Sequence, residues 1–119
     1  MSANNRGDVV LVGFVFSDES GLKLRPAVVV SASSYHRARE EMIVSAITSN
    51  VQRRLYGDHR IADWRAAGLL FPSVATGILR TIKQTMAVRK LGSLSKPDLG
   101  AMDQQLRRCL GLEYRRPAT

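Results

Sequence analysis

The chain has few of the residues that build disulfide scaffolds or membrane spans. Among its 119 residues, Cys109 is the only cysteine, so neither an internal disulfide nor a cysteine-based metal cluster can form within it. The longest apolar run, residues 9–16, is far shorter than the roughly 20 residues that cross a bilayer. The opening MSANNRGD lacks the apolar core of a signal peptide. We therefore expect a soluble protein of a reducing cytoplasm.

Several familiar catalytic motifs are also missing. The sequence contains no GxxxxGK[ST] phosphate loop, no GxGxxG dinucleotide pattern, no HExxH pair and no GxSxG elbow. The two histidines, His36 and His59, lie far apart in polar segments, a setting that predicts solvated side chains and not ligands. We therefore expect neither a cofactor nor a bound metal ion.

Acidic residues are few relative to basic ones. Ten Asp and Glu stand against eighteen Lys and Arg, which gives a formal net charge of +8. Such an excess is typical of a domain that binds a polyanion, nucleic acid first and an anionic membrane second. A solvated basic face without a partner is the simpler alternative. Arginines outnumber lysines, which favours phosphate recognition because the planar guanidinium can donate two parallel hydrogen bonds to a phosphate.

Short strands dominate what is present. Runs rich in Val, Ile and Ala predict five strands, at 7–16, 25–33, 42–49, 72–82 and 84–92. The polar segments between them predict loops at 17–24 and 50–60, and a turn or one to two helical turns at 33–41. A short helix is predicted at 62–69, ended by Gly68.

The clearest helix closes the chain. Ser95 suits its N-cap, Asp98 its first turn and Gly111 its end. Apolar residues recur on one face at helical spacing, and we expect them to be buried: Leu99, Met102, Leu106, Cys109 and Leu110. The pattern predicts one mainly β domain with helices, in which this amphipathic helix packs on a small, strongly curved antiparallel sheet or partial barrel. The domain spans 6–112, between tails at 1–5 and 113–119.

Arg25 stands directly before Pro26 at the start of the second predicted strand. Because a residue before proline avoids the α region, Arg25 should be extended and restricted, which suits a fixed phosphate contact. An ion pair to Asp18 or Glu19 that caps the preceding loop explains the same arginine equally well from the residues alone.

Three segments in order, RGDVVLV, LRPAVVVS and VSAITS, resemble the MazF/PemK (Kid-like) toxins of bacterial type II toxin–antitoxin systems. RTIKQTMAVRKLGSLS and LRRCLGL resemble the same family, so the resemblance covers about 6–112. It implies an SH3-like barrel with a C-terminal helix, and a homodimer. It also implies a sequence-specific, metal-independent endoribonuclease that cleaves single-stranded mRNA. A cognate antitoxin, through an acidic flexible segment, would occupy the RNA groove.

The resemblance also implies roles for individual residues. Arg25 matches the family's catalytic arginine and Thr48 its catalytic threonine, while Glu19 lies near a position that is acidic in some members and is a candidate general base. Neighbouring basic and polar residues are expected to bind RNA: Lys23, Ser49, Asn50, Arg53, Arg54 and Arg80.

One departure from the family pattern bears on activity. Many members carry an Asp-Gln pair shortly before RTI and an Asp directly after it, and those positions are Gly77, Ile78 and Lys83 here. One candidate acid–base carboxylate is therefore missing. Two alternatives stay open: a CcdB-like toxin that binds DNA gyrase and cuts nothing, and a catalytically weak relative that only binds nucleic acid or antitoxin.

Overall fold

One antiparallel sheet forms the body of the fold. The computed structural model describes residues 4–16 and 21–112. Within them, six strands pair in the spatial order β4-β5-β3-β2-β1-β6 and form a half-barrel. Their bounds are β1 Asp8–Phe16, β2 Gly21–Val29, β3 Glu41–Thr48, β4 His59–Arg60, β5 Val74–Lys83 and β6 Ala87–Ser93. The predicted strand-rich class, with a helix after the last strand, is confirmed.

Two α-helices within the described residues accompany the sheet. Helix α1 is Ser33–Arg39, and helix α2 is Lys96–Leu110, while a 3₁₀ turn at Gln84–Met86 joins β5 to β6. Helix α2 begins as predicted, since the Ser95 hydroxyl accepts a hydrogen bond from the Asp98 backbone N–H, and it ends at Gly111 in the left-handed conformation. No helix in the described part of the chain is long and apolar enough to span a membrane.

The sheet buries apolar side chains on both faces. Because successive side chains of a strand point to opposite faces, neighbouring residues enter different clusters. Val9 and Val28 pack with Met102 of α2 in one cluster, which segment 61–69 completes through Ile61, Ala67 and Leu69. The other cluster contains Val10, Val12, Ala27, Val29, Met42, Val44 and Ile82. Helix α2 and segment 61–69 therefore cover one face of the sheet only.

Three sequence predictions about segments need correction. Strand β2 begins at Gly21, inside the predicted loop 17–24, because its first residues pair along the whole of β1 from Phe16↔Gly21 onward. The predicted loop 50–60 ends in the short strand β4. No helix forms at 62–69, where the chain makes consecutive turns. Residues 17–20 and the predicted tail 113–119 lie outside the described residues.

The expected burial of Cys109 is also wrong. Its side chain is exposed, and Leu110 beside it is 56% exposed. The packing face of α2 ends at Leu106, which joins Leu99 and Met102 against the core. The last turn of α2 extends past this cluster, so helical periodicity overstated the length of the buried stripe.

Neither histidine is solvated, contrary to prediction. His36 is 5% exposed, and its ring contacts the Ser31 hydroxyl at 2.6 Å and the Asn4 carbonyl at 3.1 Å. Since a carbonyl only accepts, Nδ1 donates to Asn4, and Nε2 faces the Ser31 hydroxyl. His59 contacts the Asp98 carboxylate at 2.8 Å. Both rings are structural, and no group of three or more His, Cys, Asp or Glu among the described residues is placed to hold a metal ion.

Asp98 ties α2 to the segment that follows β4. Its carboxylate is 2% exposed and accepts from the backbone N–H groups of Ala62 and Asp63, each at 2.9 Å, as well as from His59. Burial alone would raise the pKa of Asp98, but these hydrogen bonds outweigh it and hold the pKa below its ordinary value. The same bonds hold the start of segment 61–69 against α2.

Candidate active site

A groove of about 620 Å³ opens beside the start of β2 and the end of β3. We call it the Arg25 groove. It gathers Arg25 and Thr48, two of the three residues assigned catalytic roles by the resemblance, together with Ser49 from the expected RNA-binding set. Its lining consists of Leu11, Leu24, Arg25, Pro26, Ile47, Thr48, Ser49, Gly68, Leu69, Leu70, Phe71, Ser73, Arg89 and Leu91.

The strand register explains why Arg25 and Thr48 meet. The β2–β3 ladder runs antiparallel from Val29↔Val44 to Ala27↔Ala46. Counting two residues onward places Arg25 opposite Thr48, just beyond the last paired residues. Because the ladder has ended there, the two strands are no longer hydrogen bonded to each other, and the groove opens at that point.

A second row of groove residues crosses the sheet. In β1, Leu11 lies opposite Pro26 of β2 on one side and opposite Arg89 of β6 on the other. The same onward count of the β2–β3 register places Ile47 of β3 opposite Pro26. We call these four residues the floor row: Ile47, Pro26, Leu11 and Arg89. It is apolar over three strands and ends in a cation.

The Arg25 guanidinium has no acidic partner among the described residues. Its Nη1 donates to the Leu24 carbonyl at 3.1 Å, and none of the ion pairs within the described residues includes it. The side chain is exposed. The alternative ion pair to Asp18 or Glu19 lies outside the described residues. Arg25 therefore keeps most of its five N–H donors for an anion in the groove.

The Thr48 hydroxyl is oriented by the turn that follows β3. Its Oγ1 accepts from the Asn50 backbone N–H at 3.1 Å, and the Asn50 side chain in turn accepts from the Gln52 N–H at 3.2 Å. Since Oγ1 is used as an acceptor, its own hydrogen remains to donate. Asn50 does not line the groove, and its side chain supports the turn that holds Thr48.

The segment 67–71 forms the wall of the groove by packing on β6 through glycines. Gly68 has a φ of +81°, and a Cβ there would lie 2.0 Å from the Leu91 carbonyl oxygen. A Cβ on Gly92 would lie 2.6 Å from the Ala67 carbonyl oxygen. This backbone contact places Leu70 and Phe71, 83% and 63% exposed, beside the groove. This wall was not predicted from the sequence, although the exposed apolar run GLLFP at 68–72 was the available signal.

Arg53 and Arg54 line a separate cavity of about 390 Å³, not the Arg25 groove. Arg53 is held by the Asp58 carboxylate, with Nε donating to Oδ2 at 3.0 Å. Arg54 is exposed, and Arg60 joins it in the lining. This cavity contains Val74, the residue after Ser73 of the groove, so the two openings adjoin.

Lys23 and Arg80 lie near Phe14, on another part of the sheet. Lys23 is opposite Phe14 in the β1–β2 register, and the Arg80 guanidinium stacks over the Phe14 ring at 5.0 Å. Lys23 and Arg25 are two residues apart and so share a face of β2. Of the residues expected to act on RNA, the structure thus brings Arg25, Thr48 and Ser49 into one groove and leaves the others around it. Glu19 lies outside the described residues.

The groove has the chemistry of an anion site. Two arginines, Arg25 and Arg89, are among its lining residues with Thr48, and none of its described lining residues carries a carboxylate. A fixed cation beside a hydroxyl donor can bind a phosphate and stabilise negative charge that develops on it. Arg89 was not singled out from the sequence.

Solved structures of similar fold cover nearly the whole chain. An endoribonuclease in complex with its cognate antitoxin, from a mycobacterial species, is 18% identical, with a TM-score of 0.74 over 95% of this chain and 100% of the other. A MazE–MazF complex from Deinococcus radiodurans is 18% identical, with a TM-score of 0.75 over 92% and 98%. The Mycobacterium tuberculosis toxin MazF-mt6 is 20% identical, with a TM-score of 0.72 over 90% and 99%. At these identities the likeness establishes the fold.

The family follows from the sequence pattern and not from the fold alone. A search of curated proteins gave no significant match. The pattern of the family described as "PemK-like, MazF-like toxin of type II toxin-antitoxin system" matches residues 5–110. That range includes all six strands and α2. The chain therefore belongs to the PemK-like, MazF-like toxins of type II toxin–antitoxin systems.

Proposed function

We propose that this toxin is an endoribonuclease that cleaves single-stranded RNA in the Arg25 groove. The observation that carries the proposal is that Arg25, which has no acidic partner among the described residues, and Thr48, whose hydroxyl is oriented, line one groove where the β2–β3 ladder ends. Family membership supports it, as do the similar solved structures that are named endoribonucleases. The CcdB-like alternative has no such support.

RNA supplies the nucleophile for this reaction. The 2′-oxygen attacks the adjacent phosphorus, the bond to the 5′-oxygen breaks, and the proton from the 2′-hydroxyl is balanced by one delivered to the leaving oxygen. The products are a 2′,3′-cyclic phosphate and a 5′-hydroxyl end. Arg25 stabilises the negative charge on the phosphoryl oxygens, and Thr48 donates to a phosphate oxygen or the 2′-hydroxyl.

The general base is assigned to Glu19 on the resemblance. The described lining of the groove offers no carboxylate, and the family's acidic positions near RTI are Gly77 and Lys83 here. General acid–base help contributes about 10²–10⁴ in rate. Glu19→Gln should therefore slow cleavage by at least about 10²-fold, with RNA binding unchanged, when single-turnover rates and affinities are compared.

Binding of the RNA beyond the cleaved phosphate is assigned to basic and polar residues around the groove. Ser49 lies inside it, Arg53 and Arg54 line the adjoining cavity, and Lys23 and Arg80 lie on the Phe14 side. The Asn50 side chain acts through the turn that orients Thr48.

A cognate antitoxin is the natural inhibitor of such a site. The family is defined by toxin–antitoxin pairs, and similar solved structures contain the antitoxin. We propose that the antitoxin covers the basic groove with an acidic, flexible segment, that the toxin is a homodimer, and that it acts on mRNA in the bacterial cytoplasm. The net charge of +8 supports an acidic partner.

The test is cleavage of a long single-stranded RNA in EDTA, with the ends mapped. Wild type should give discrete cuts with cyclic-phosphate ends, and Arg25→Ala should lose at least about 10²-fold in rate, the usual cost of one preorganised donor. Arg37→Ala is the matched control, because Arg37 is an exposed arginine of α1 that lines neither cavity.

Three results would count against the proposal. Turnover of Arg25→Ala within about tenfold of wild type would remove Arg25 from the chemistry. Intact RNA with every variant would overturn the nuclease and direct attention to inhibition of DNA gyrase by the purified protein. Cleavage that disappears in EDTA and returns with a divalent ion would contradict the metal-independent mechanism.

A further inference from the structure

Arg89 is the second cation of the Arg25 groove. It lies on β6 and is exposed. Among the described residues it takes part in no ion pair and stacks on no ring. Two other arginines near the groove are held by neighbours, Arg53 by Asp58 and Arg80 by Phe14. An arginine without a partner at the end of an apolar floor is suited to an anionic ligand.

The register separates Arg89 from Arg25. Strand β1 lies between their strands, and neighbouring strands are about 4.8 Å apart, so the two backbones are separated by about 10 Å. They also differ in face, because Arg25 is opposite Val12 of β1 whereas Arg89 is opposite Leu11. Both arginines nevertheless line the groove, and this backbone separation is large enough for them to meet different phosphates of one strand.

We propose that Arg89 is a substrate-binding residue that holds an uncleaved phosphate of the RNA. The RNA then extends within the groove, from the end of β3 at Thr48 toward Arg89 on β6. Leu24 and Leu11, which line the groove between the two arginines, accept ribose and base surfaces, while one phosphate meets Arg25 and another meets Arg89. This inference rests on the proposed function and adds a direction for the substrate and a residue that the sequence did not indicate.

The first measurement is equilibrium binding of an RNA that cannot be cut. A single 2′-deoxy nucleotide at the mapped cleavage site removes the nucleophile and keeps every phosphate. Arg89→Ala should bind about tenfold more weakly, as expected for the loss of one charge-assisted contact. A plot of the logarithm of the binding constant against the logarithm of the salt concentration should be shallower for Arg89→Ala by about 0.7, the slope that one phosphate of a single strand contributes. Arg89→Lys should keep the wild-type slope, and Arg37→Ala should match wild type in both quantities.

The second measurement locates the phosphate. Each linkage of the same oligonucleotide is replaced in turn by an uncharged methylphosphonate, and binding is measured with wild type and Arg89→Ala. At one uncleaved linkage the loss caused by Arg89→Ala should disappear, because the partner charge is already gone. If the loss disappears only at the cleaved linkage, Arg89 acts on the scissile phosphate and the proposed path of the RNA is wrong.

Cleavage kinetics separate this inference from the proposed function. Because an uncleaved phosphate contributes equally to ground state and transition state, Arg89→Ala should raise KM and leave kcat within about twofold, whereas Arg25→Ala should lower kcat. Active wild type with Arg89→Ala unchanged in affinity, slope and KM would overturn the role of Arg89 alone. Wild type that neither binds nor cuts RNA would overturn the proposed function and the role of Arg89 together.

Discussion

At the scale of single residues, Asp98 connects α2 to the chain that leads to the groove wall. Its carboxylate accepts from His59 of β4 and from the N–H groups of Ala62 and Asp63, which lie between β4 and the wall. A buried carboxylate with this many donors stabilises the fold, because removing it leaves several donors unsatisfied.

Asp98→Asn should lower the free energy of unfolding by roughly 2–4 kcal/mol, since an amide turns a donor toward backbone N–H groups and loses the charge. Urea titration at neutral pH measures the loss. The matched control is Asp103→Asn on the same helix, whose ion pair with Arg6 is partly exposed and should contribute less than about 1 kcal/mol. Equal losses for the two variants would contradict the role given to Asp98.

The same carboxylate predicts how stability changes in acid. The pKa of Asp98 is lower in the folded protein than its ordinary value of 3.8. The stability that the ionised carboxylate contributes is therefore complete above pH 3.8, and it is lost as the pH falls through the lower folded pKa. Wild type should therefore lose stability relative to Asp98→Asn below about pH 4. Parallel stability curves for the two proteins from pH 3 to pH 6 would show that Asp98 does not titrate as stated.

Residues differ in how far the sequence alone could identify them. Arg25 and Thr48 were found because each stands in a local pattern, LRP and AITS, that resembles the family. Arg89 and Asp98 have no such pattern. Arg89 reaches the groove through the β1–β6 register, and Asp98 finds its donors in a segment more than thirty residues earlier. Long-range pairing of this kind leaves no local trace in the sequence.

At the scale of elements, the wall of the groove depends on two glycines that allow backbone to touch backbone. Gly68→Ala would place a methyl carbon 2.0 Å from the Leu91 carbonyl oxygen at a φ of +81°. Segment 67–71 would have to move away from β6, which should cost roughly 2–4 kcal/mol of stability and displace Leu70 and Phe71. Thermal unfolding and RNA affinity together measure the effect.

Gly100→Ala supplies the control for this prediction with the same chemical change. Gly100 is exposed within α2, and a Cβ there meets nothing within 4 Å. The substitution should raise stability by about 0.5–1 kcal/mol, the helix propensity difference between Ala and Gly, and leave RNA affinity unchanged. A Gly68→Ala variant as stable as Gly100→Ala would mean that the wall does not depend on this contact.

Elements with a repeating hydrophobic pattern were predicted well. Strands β1, β3, β5 and β6 and helix α2 follow from alternation or from helical spacing, since burial on a regular surface imposes that period. Segment 62–69 was assigned wrongly because its turns are fixed by partners outside it, namely the Asp98 carboxylate and the β6 backbone. Tertiary contacts there override a weak local preference.

At the scale of the whole molecule, the excess positive charge is distributed around the groove and not confined to it. Arg25 and Arg89 line the groove, Arg54 and Arg60 the adjoining cavity, and Arg80 the Phe14 side. Such a distribution attracts a polyanion over a broad surface and raises its rate of encounter. The groove then selects the phosphates that bind closely.

A polyanion that binds this surface should therefore stabilise the fold in a salt-dependent way. With the uncleavable RNA at about 100 times its Kd, mass action should add about 2.7 kcal/mol to the free energy of unfolding and raise Tm by several degrees. In about 1 M salt, where the Debye length falls to about 3 Å, most of that shift should disappear. A morpholino of the same sequence, whose backbone is uncharged, should give little shift at either salt concentration. If the morpholino raises Tm as much as RNA does, recognition comes from the bases and not from the charge on which the proposed path of the RNA depends.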